Sequence, residues 1–271
     1  MKVKKKKAVV VIPVYKEVLS ADERASFIQC LRVLNRYDIV LVTHLQLNCE
    51  AYNLIANEYK KSIRYRYFNE SFFADIQGYN NLCLSADFYK AFREFEYMLI
   101  FQLDAWVFSD QLEYWCDKHY DYVGAPFFEH FGNHEEGNKL YNVGNGGLSL
   151  RKIESMIQIL TTWKPVYKNY PLKINSPLRF FHAILFLLGY HNNMRSIIRN
   201  NTWYEDIFLC IELEKTRAHL EKASVEEACF FAFEQSPRYL FETKTHGKLP
   251  FGCHGFRKYE FDSFWSHYIS I

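Results

Sequence analysis

Asp104 stands at the carboxyl end of an almost wholly apolar run, Tyr97-Met-Leu-Ile-Phe-Gln102, with Ala105, Trp106 and Val107 beyond it. A carboxylate in such company needs a compensating partner. At the carboxyl end of a strand in an open α/β sheet that partner is often a ligand, because ligands bind there; a helix N-cap or a structural ion pair is the alternative. Glu205 and Asp206 are adjacent acids at the start of a helical pattern. They either complement the helix dipole or stand poised for chemistry. His254 lies between Gly252 and Gly255, a turn that can carry an imidazole to a site, although a hydrogen-bonded core histidine gives the same pattern. The stretch Gly144-Asn145-Gly146-Gly147 permits close backbone approach and offers N–H groups to a ligand. It is a poor dinucleotide loop, since Ser149 replaces the third glycine and the turn sits mid-chain rather than after the first strand. His130 and His134, flanked by Glu129, Glu135 and Glu136, have ligand-type side chains, but the HExxH order is missing and the loop holds Gly132 and Gly137.

The elements that position these residues follow from periodicity. Ala8 to Val14 is a β-branched, buried-strand pattern, and Asp38 to His44 and Ile63 to Phe68 are two further strands. Ser20-Ala-Asp-Glu23 is a capping box before a helix with Phe27, Leu31 and Leu34 inward. A second helix is expected from about Cys49 to Lys61 and a third from Asn80 to Phe95, with an aromatic loop from Asn69 to Tyr79 between them. The apolar run ending at Asp104 is the fourth strand. Strand and helix in alternation predict a mostly parallel sheet with right-handed crossovers. Further on, Ser109 to His119 reads as a helix and Asp121 to Pro126 as a short strand. A strand, the glycine turn and a helix from about Lys152 to Leu160 come next. Helices from Ile207 to Leu213 and, behind a capping box at Ser224, through Phe233 complete the reading.

At 271 residues, 49% hydrophobic, the chain can bury one large α/β core. The 24 Phe and 20 Tyr suit stacking or sugar-facing surfaces, and equally an AT-rich genome. A net charge of +2 argues against a polyanion-seeking protein, and no nucleic-acid motif frames the basic residues. Seven scattered cysteines without a CxxC pair read as reduced core thiols. The basic N-terminus leads to no cleavage site, and no apolar run approaches the ~20 residues of a membrane helix. A cytoplasmic protein is expected. No GxSxG elbow is present, which removes the serine hydrolases of that type.

One composition shift stands out. Between Glu154 and Glu205 there is no acid, while Lys164, Lys168, Lys173, Arg179, Arg195 and Arg199 accompany Trp163, Tyr167, Tyr170 and an apolar helix from Leu178 to Leu188. Such a span, about 161–200, is a helical insertion packed on the sheet, or a surface for an anionic acceptor or an anionic membrane face.

Taken in order, Val11-Ile-Pro-Val-Tyr-Lys-Glu17, Phe101-Gln-Leu-Asp104, Gly144-Asn-Gly-Gly-Leu-Ser-Leu-Arg151, Glu205-Asp206 and Gly252-Cys-His254-Gly resemble the GT-A glycosyltransferases. The set is most similar to a bacterial family, domain of unknown function 5672, in which the FQxD, GNGGLSLR, ED and HG elements come in this order; the resemblance spans about residues 8–260. It implies one GT-A-like domain, with a nucleotide-binding half at 8–108 and an acceptor-binding half at 109–271. It implies transfer of a sugar from a nucleotide-sugar, a UDP-sugar first, to a glycan or lipid-linked acceptor in bacterial surface polysaccharide or glycan assembly. Pro13, Val14, Tyr15, Glu17, Thr43, Gln102, Asp104, Asn145, Gly146 and Gly147 would then contact the donor, and Asp206, with Glu205 second, would be the base of an inverting reaction. Asp104 and His254 would hold Mn2+ or Mg2+. The usual Asp-x-Asp motif is incomplete, since Asp104-Ala-Trp106 lacks a second acid; the metal would bind through Asp104, His254 and substrate, or Lys and Arg would neutralise the diphosphate instead. The competing classes are a degenerate sugar- or nucleotide-binding protein of the same fold and a sugar nucleotidyltransferase. The latter would want a glycine-rich loop where Pro13-Val-Tyr-Lys-Glu17 stands. A protein of this kind can also sit peripherally on the inner face of the membrane through 161–200.

Overall fold

Val9, Val10, Val11 and Ile12 have no exposed surface, so strand β1 (Lys6–Pro13) is covered on both faces, as strands of parallel sheets are. The fold is a computed structural model that describes residues 5–129, 139–169 and 176–271. In chain order β1 is followed by α1 (Ala21–Val33), β2 (Asp38–Thr43), α2 (Glu50–Glu58), β3 (Ile63–Tyr67), α3 (Ile76–Cys83), α4 (Ala86–Lys90) and β4 (Phe95–Phe101). Then come β5 (Ala105–Val107), α5 (Leu112–Asp117), β6 (Tyr122–Val123), β7 (Pro126–Phe128), β8 (Leu140–Val143), β9 (Leu148–Lys152) and α6 (Ile153–Leu160). The last part holds α7 (Pro177–Leu187), α8 (Met194–Arg199), α9 (Glu205–Cys210), α10 (Val225–Phe231), β10 (Ala232–Phe233) and β11 (Gly252–His254).

The central sheet has the order β3-β2-β1-β4-β9-β6. β1 to β4 are parallel, and β9 runs antiparallel between β4 and β6. Alternation across β1 divides the core. Val10 and Ile12 meet α1 through Phe27, Cys30, Leu31 and Leu34; Val9 and Val11 face the layer that holds Phe88, Phe92, Met156 and Ile157. Helix α1 starts where the sequence predicts, because Ser20 accepts from the Glu23 N–H while Glu23 accepts from the Ser20 N–H.

Three expectations need correction. The helix expected over 80–95 is two short helices, and the first begins earlier, at Ile76, where Asp75 accepts from the Gly78 N–H. Ser85 separates them by accepting from Asp87 N–H, and Phe95 already belongs to β4. The helix expected from about Lys152 stands as α6, but β9 comes between it and the glycine turn, its backbone satisfied by pairing with β4. The segment expected as one strand ending at Pro126 is two, β6 in the central sheet and β7 in a separate pair with β8. The histidine-rich loop at 130–138 lies outside the described residues.

Truncating Leu99 to alanine in the middle of β4 is expected to cost about 2–5 kcal/mol, the range for a fully buried leucine. Ser20→Ala, which removes one arm of the capping box, should cost about 1 kcal/mol. Urea unfolding followed by circular dichroism measures both; equal losses would contradict the central position of β4.

Candidate active site

A three-stranded sheet, β10-β11-β5, delivers the first group of side chains. β11 pairs antiparallel with β5 so that His254 lies opposite Ala105, one residue from Asp104. β10 pairs parallel with β11 through Phe233 and Cys253, so the next residue along β10, Glu234, falls beside His254. The imidazole is thereby held from both sides. Its Nε2 lies 3.1 Å from Asp104 Oδ1 and 3.2 Å from Gln102 Oε1, and its Nδ1 lies 3.1 Å from Glu234 Oε1. Burial alone would lower the histidine pKa, but the charges of Asp104 and Glu234 prevail and push it up to about 10. Burial likewise opposes ionisation of Asp104, and His254 holds it below the ordinary carboxylate value. Phe233, Trp106, Cys253, Phe256 and Trp265 form a separate apolar cluster with these strands and fix their register.

The glycine turn meets this group at the end of β4. Gln102 N–H donates to the Gly147 carbonyl at 2.8 Å. A Cβ on Gly147 would stand 2.0 Å from His254 Nε2, so only glycine lets the ring lie against the turn. Asn145 adopts φ 65°, a left-handed conformation asparagine tolerates. Its side-chain oxygen accepts from Gly147 and Leu148 N–H groups at 3.0 and 3.3 Å. On the other side of the turn, Gly146 N–H donates to Asp206 Oδ2 at 3.0 Å, and a Cβ on Gly146 would stand 2.1 Å from Glu205 Oε1.

The two adjacent acids have different surroundings. Glu205 is 2% exposed, with both oxygens on Arg151, at 2.7 Å from Nη2 and 2.9 Å from Nη1. Arg151 is fully buried and also donates to Ser149 and Tyr89 hydroxyls at 3.0 Å. Burial works against its charge, but Glu205 outweighs burial and keeps the guanidinium protonated. Asn80 Oδ1 accepts from the Glu205 N–H at 3.1 Å, tying α9 to α3. Among the described residues no cation pairs with Asp206. Burial, then the neighbouring Glu205 charge, pushes its pKa up to about 6, with the N–H groups of Ile207 and Gly146 pulling the other way. A carboxylate with that value shuttles a proton near neutral pH.

Beside this cluster opens a cavity of about 550 Å3 at the carboxyl ends of β1 and β4. Pro13, Val14, Tyr15 and Lys16 form one wall, Phe72 to Ile76 and Tyr79 another, and Gln102 to Asp104 its inner end. The volume suits a small-molecule site. Asp104 faces it with 56% of its side chain exposed. Of the expected donor contacts, Pro13, Val14, Tyr15, Gln102 and Asp104 line this cavity, while Glu17, Thr43, Asn145, Gly146 and Gly147 do not. Thr43 is fully buried, and Glu17 is exposed, accepting from Asn48 N–H at 3.4 Å. Sequence reading missed Glu234, whose placement depends on pairing between distant strands. It also treated 69–79 as connection, although its aromatic residues were visible.

The residues fit a divalent cation that displaces the Nε2 proton of the otherwise protonated imidazole. Asp104 Oδ1, Gln102 Oε1 and His254 Nε2 converge, a mixed oxygen and imidazole set. Glu234 holds the far ring nitrogen in the way carboxylates orient metal-bound histidines. The residue that accompanies Asp104 lies two positions before it, not two after. Among the described residues no cluster of three or more His, Cys, Asp or Glu forms a metal site, so the set depends on the Gln102 amide and on a ligand.

A family model described as protein of unknown function (DUF5672) matches residues 62–254. Solved structures of LgtC share the fold. The galactosyltransferase LgtC in complex with donor and acceptor sugar analogues aligns at TM-score 0.51 and 14% identity, over 91% of this chain and 86% of that one. An active-site mutant of LgtC gives TM-score 0.50, with the same identity and coverage. A core-mannan synthase A from Aspergillus fumigatus, in a Mn/GDP form, is more distant, at TM-score 0.39 and 11% identity over 76% and 72%. No curated protein matches.

Glu205→Ala should cost about 3–5 kcal/mol, since it strands a buried guanidinium. Asp206→Asn should behave oppositely. An aspartate whose folded-state pKa is raised favours folding most below the ordinary carboxylate value and loses that contribution as pH rises through about 6. The uncharged asparagine therefore gains stability relative to wild type between about pH 4 and pH 7. Thermal denaturation of the variants across this range checks both, and a pH-independent difference for Asp206→Asn would contradict the assigned environment.

Proposed function

The chain belongs to the DUF5672 family and has the GT-A fold, and on that footing we propose that it transfers a sugar from a nucleotide-diphosphate donor to an acceptor hydroxyl. The observation behind this reading is the junction at Gly146-Gly147. There a cavity-facing Asp104 and its partner His254 stand on one side of a turn whose other side binds Asp206. A nucleotide in the cavity, uridine first, would have its base among Tyr15, Tyr52 and the 72–76 segment and its diphosphate toward Gln102 and Asp104. LgtC has been seen with donor and acceptor sugar analogues together, which agrees with a site that takes both.

In the reaction the acceptor oxygen forms a bond to the anomeric carbon while the bond to the diphosphate breaks and its electron pair leaves with the diphosphate. Asp206 takes the acceptor's proton, worth about 10²–10⁴-fold in rate. A single displacement of this kind inverts the anomeric centre. Stabilising the leaving diphosphate is the larger part of catalysis. Mn2+ or Mg2+ held by Asp104, Gln102 and His254 would supply that positive charge. Lys16, on the cavity wall, and Lys258, whose charge acts on Asp104, add to it. Glu205 serves as support: it fixes Arg151 and the start of α9, and so the position of Asp206.

A thermal-shift screen of nucleotide-sugars with and without Mn2+ identifies the donor, because binding to the native state raises the melting temperature. With that donor, turnover should rise through pH about 6 as Asp206 ionises. Asp206→Asn should lose at least a hundredfold in turnover, with the donor's thermal shift retained. Near-wild-type turnover in this variant would refute the base, and product of retained configuration would refute the single displacement.

A further inference from the structure

Helix α7 is apolar on nearly every side, and only Ala183 of its residues is buried. Leu178, Phe181 and Leu188 are 64%, 55% and 76% exposed, and Phe180, Ile184, Leu187 and Tyr190 are exposed as well. The helix is well formed, with Pro177 in its first turn and Ser176 accepting from the Arg179 N–H. It is also firmly attached. Asn192 accepts from Tyr167 N–H at 2.7 Å and donates to its carbonyl at 3.0 Å, Phe186 stacks on Tyr167, and the following helix α8 buries Met194 and packs Ile197 and Ile198 against the core. The span, read as packed on the sheet or as a binding surface, splits in two: α8 packs, and α7 is held outward.

An exposed apolar surface of this size calls for a partner, and its charge says which. Residues 155–204 contain no Asp or Glu. Lys164, Lys168, Arg195 and Arg199 stand in the same span as the exposed aromatic residues Trp163, Tyr190, Trp203 and Tyr204. Two copies meeting through this span would bring its cations together with no acid of the same span to offset them, which disfavours a symmetric dimer. An anionic phospholipid surface meets every feature: acyl chains for the leucines and phenylalanines, headgroup level for Trp and Tyr, and phosphate for the cations. At 11 residues α7 is too short to cross, and no described helix is long and apolar enough to do so.

We propose that α7 and its basic flanks dock in the interface of an anionic bilayer. Resting on the glycosyl-transfer reading, this makes the acceptor a membrane lipid or lipid-linked glycan. The span ends at Tyr204, which immediately precedes Glu205 and Asp206 at the head of α9, so docking brings the catalytic carboxylate toward the lipid surface.

The test is co-sedimentation of the full chain with vesicles of phosphatidylcholine alone or with phosphatidylglycerol, at low and high salt. Binding should appear with the anionic vesicles and weaken with salt, each neutralised basic residue costing roughly fivefold in partitioning. Leu178→Asp with Phe181→Asp should abolish binding while leaving the melting temperature and the donor's thermal shift unchanged. That shift, read on the same preparations, separates failure of docking from failure of the glycosyl-transfer reading. No salt-sensitive binding overturns the proposal, and so does a wild-type dimer that the double variant converts to monomer.

Discussion

The site depends on two places where a side chain is missing. Gly146 leaves room for Glu205 and Gly147 leaves room for His254. An added Cβ at either position would stand about 2 Å from the opposing atom, nearer than packed atoms tolerate. The turn therefore acts as a thin partition with a carboxylate on one face and an imidazole on the other. Both faces are pinned by backbone: Gly146 N–H holds Asp206, and Gly147 carbonyl holds the Gln102 N–H at the end of β4. Because β9 continues from the turn into the middle of the sheet, its position is set by the core.

Placing Arg151 and Glu205 without solvent beside this partition costs desolvation of both charges, and such pairs contribute little net stability on average. What the pair does contribute is position. Its bidentate geometry, with Tyr89 and Ser149 taking further bonds from Arg151 and Asn80 holding the Glu205 N–H, fixes the orientation of the start of α9. Asp206, the next residue, is paired with no cation among the described residues, and burial beside the Glu205 charge raises its pKa. Two adjacent acids thus diverge in role: one is fixed by an arginine and the other is available to take up a proton.

Much of this was legible beforehand where local chemistry decides the outcome. The parallel half of the sheet followed from β-branched runs, α1 from its capping box, and Asp104 from its place at the end of an apolar strand. The sequence put Asp206 ahead of Glu205 only through the family resemblance, because the physical difference lies in Arg151, 54 residues away. Glu234 was invisible for the same reason, since only the pairing of β10 with β11 sets it beside His254. The absence of a second acid after Asp104 was plain, but the residue that shares its histidine lies two positions before it. Gln102 faces the same imidazole nitrogen as Asp104, so a neutral amide oxygen stands where a second acid would bring charge. Of the two readings of 161–200, packing on the sheet holds for α8 and not for α7, because an apolar helix usually means burial and the sequence alone does not say which helix is held away from the core.

Glycosyl transfer at this site requires a donor diphosphate lying between the cavity and the Asp104–His254 pair. Diffraction from crystals soaked with uridine diphosphate and Mn2+ tests that directly. The account predicts base density between Tyr15 and the 72–76 segment, and diphosphate density within contact of Asp104. Nucleotide density confined elsewhere, with the cavity beside Pro13 and Gln102 filled only by water, would contradict it.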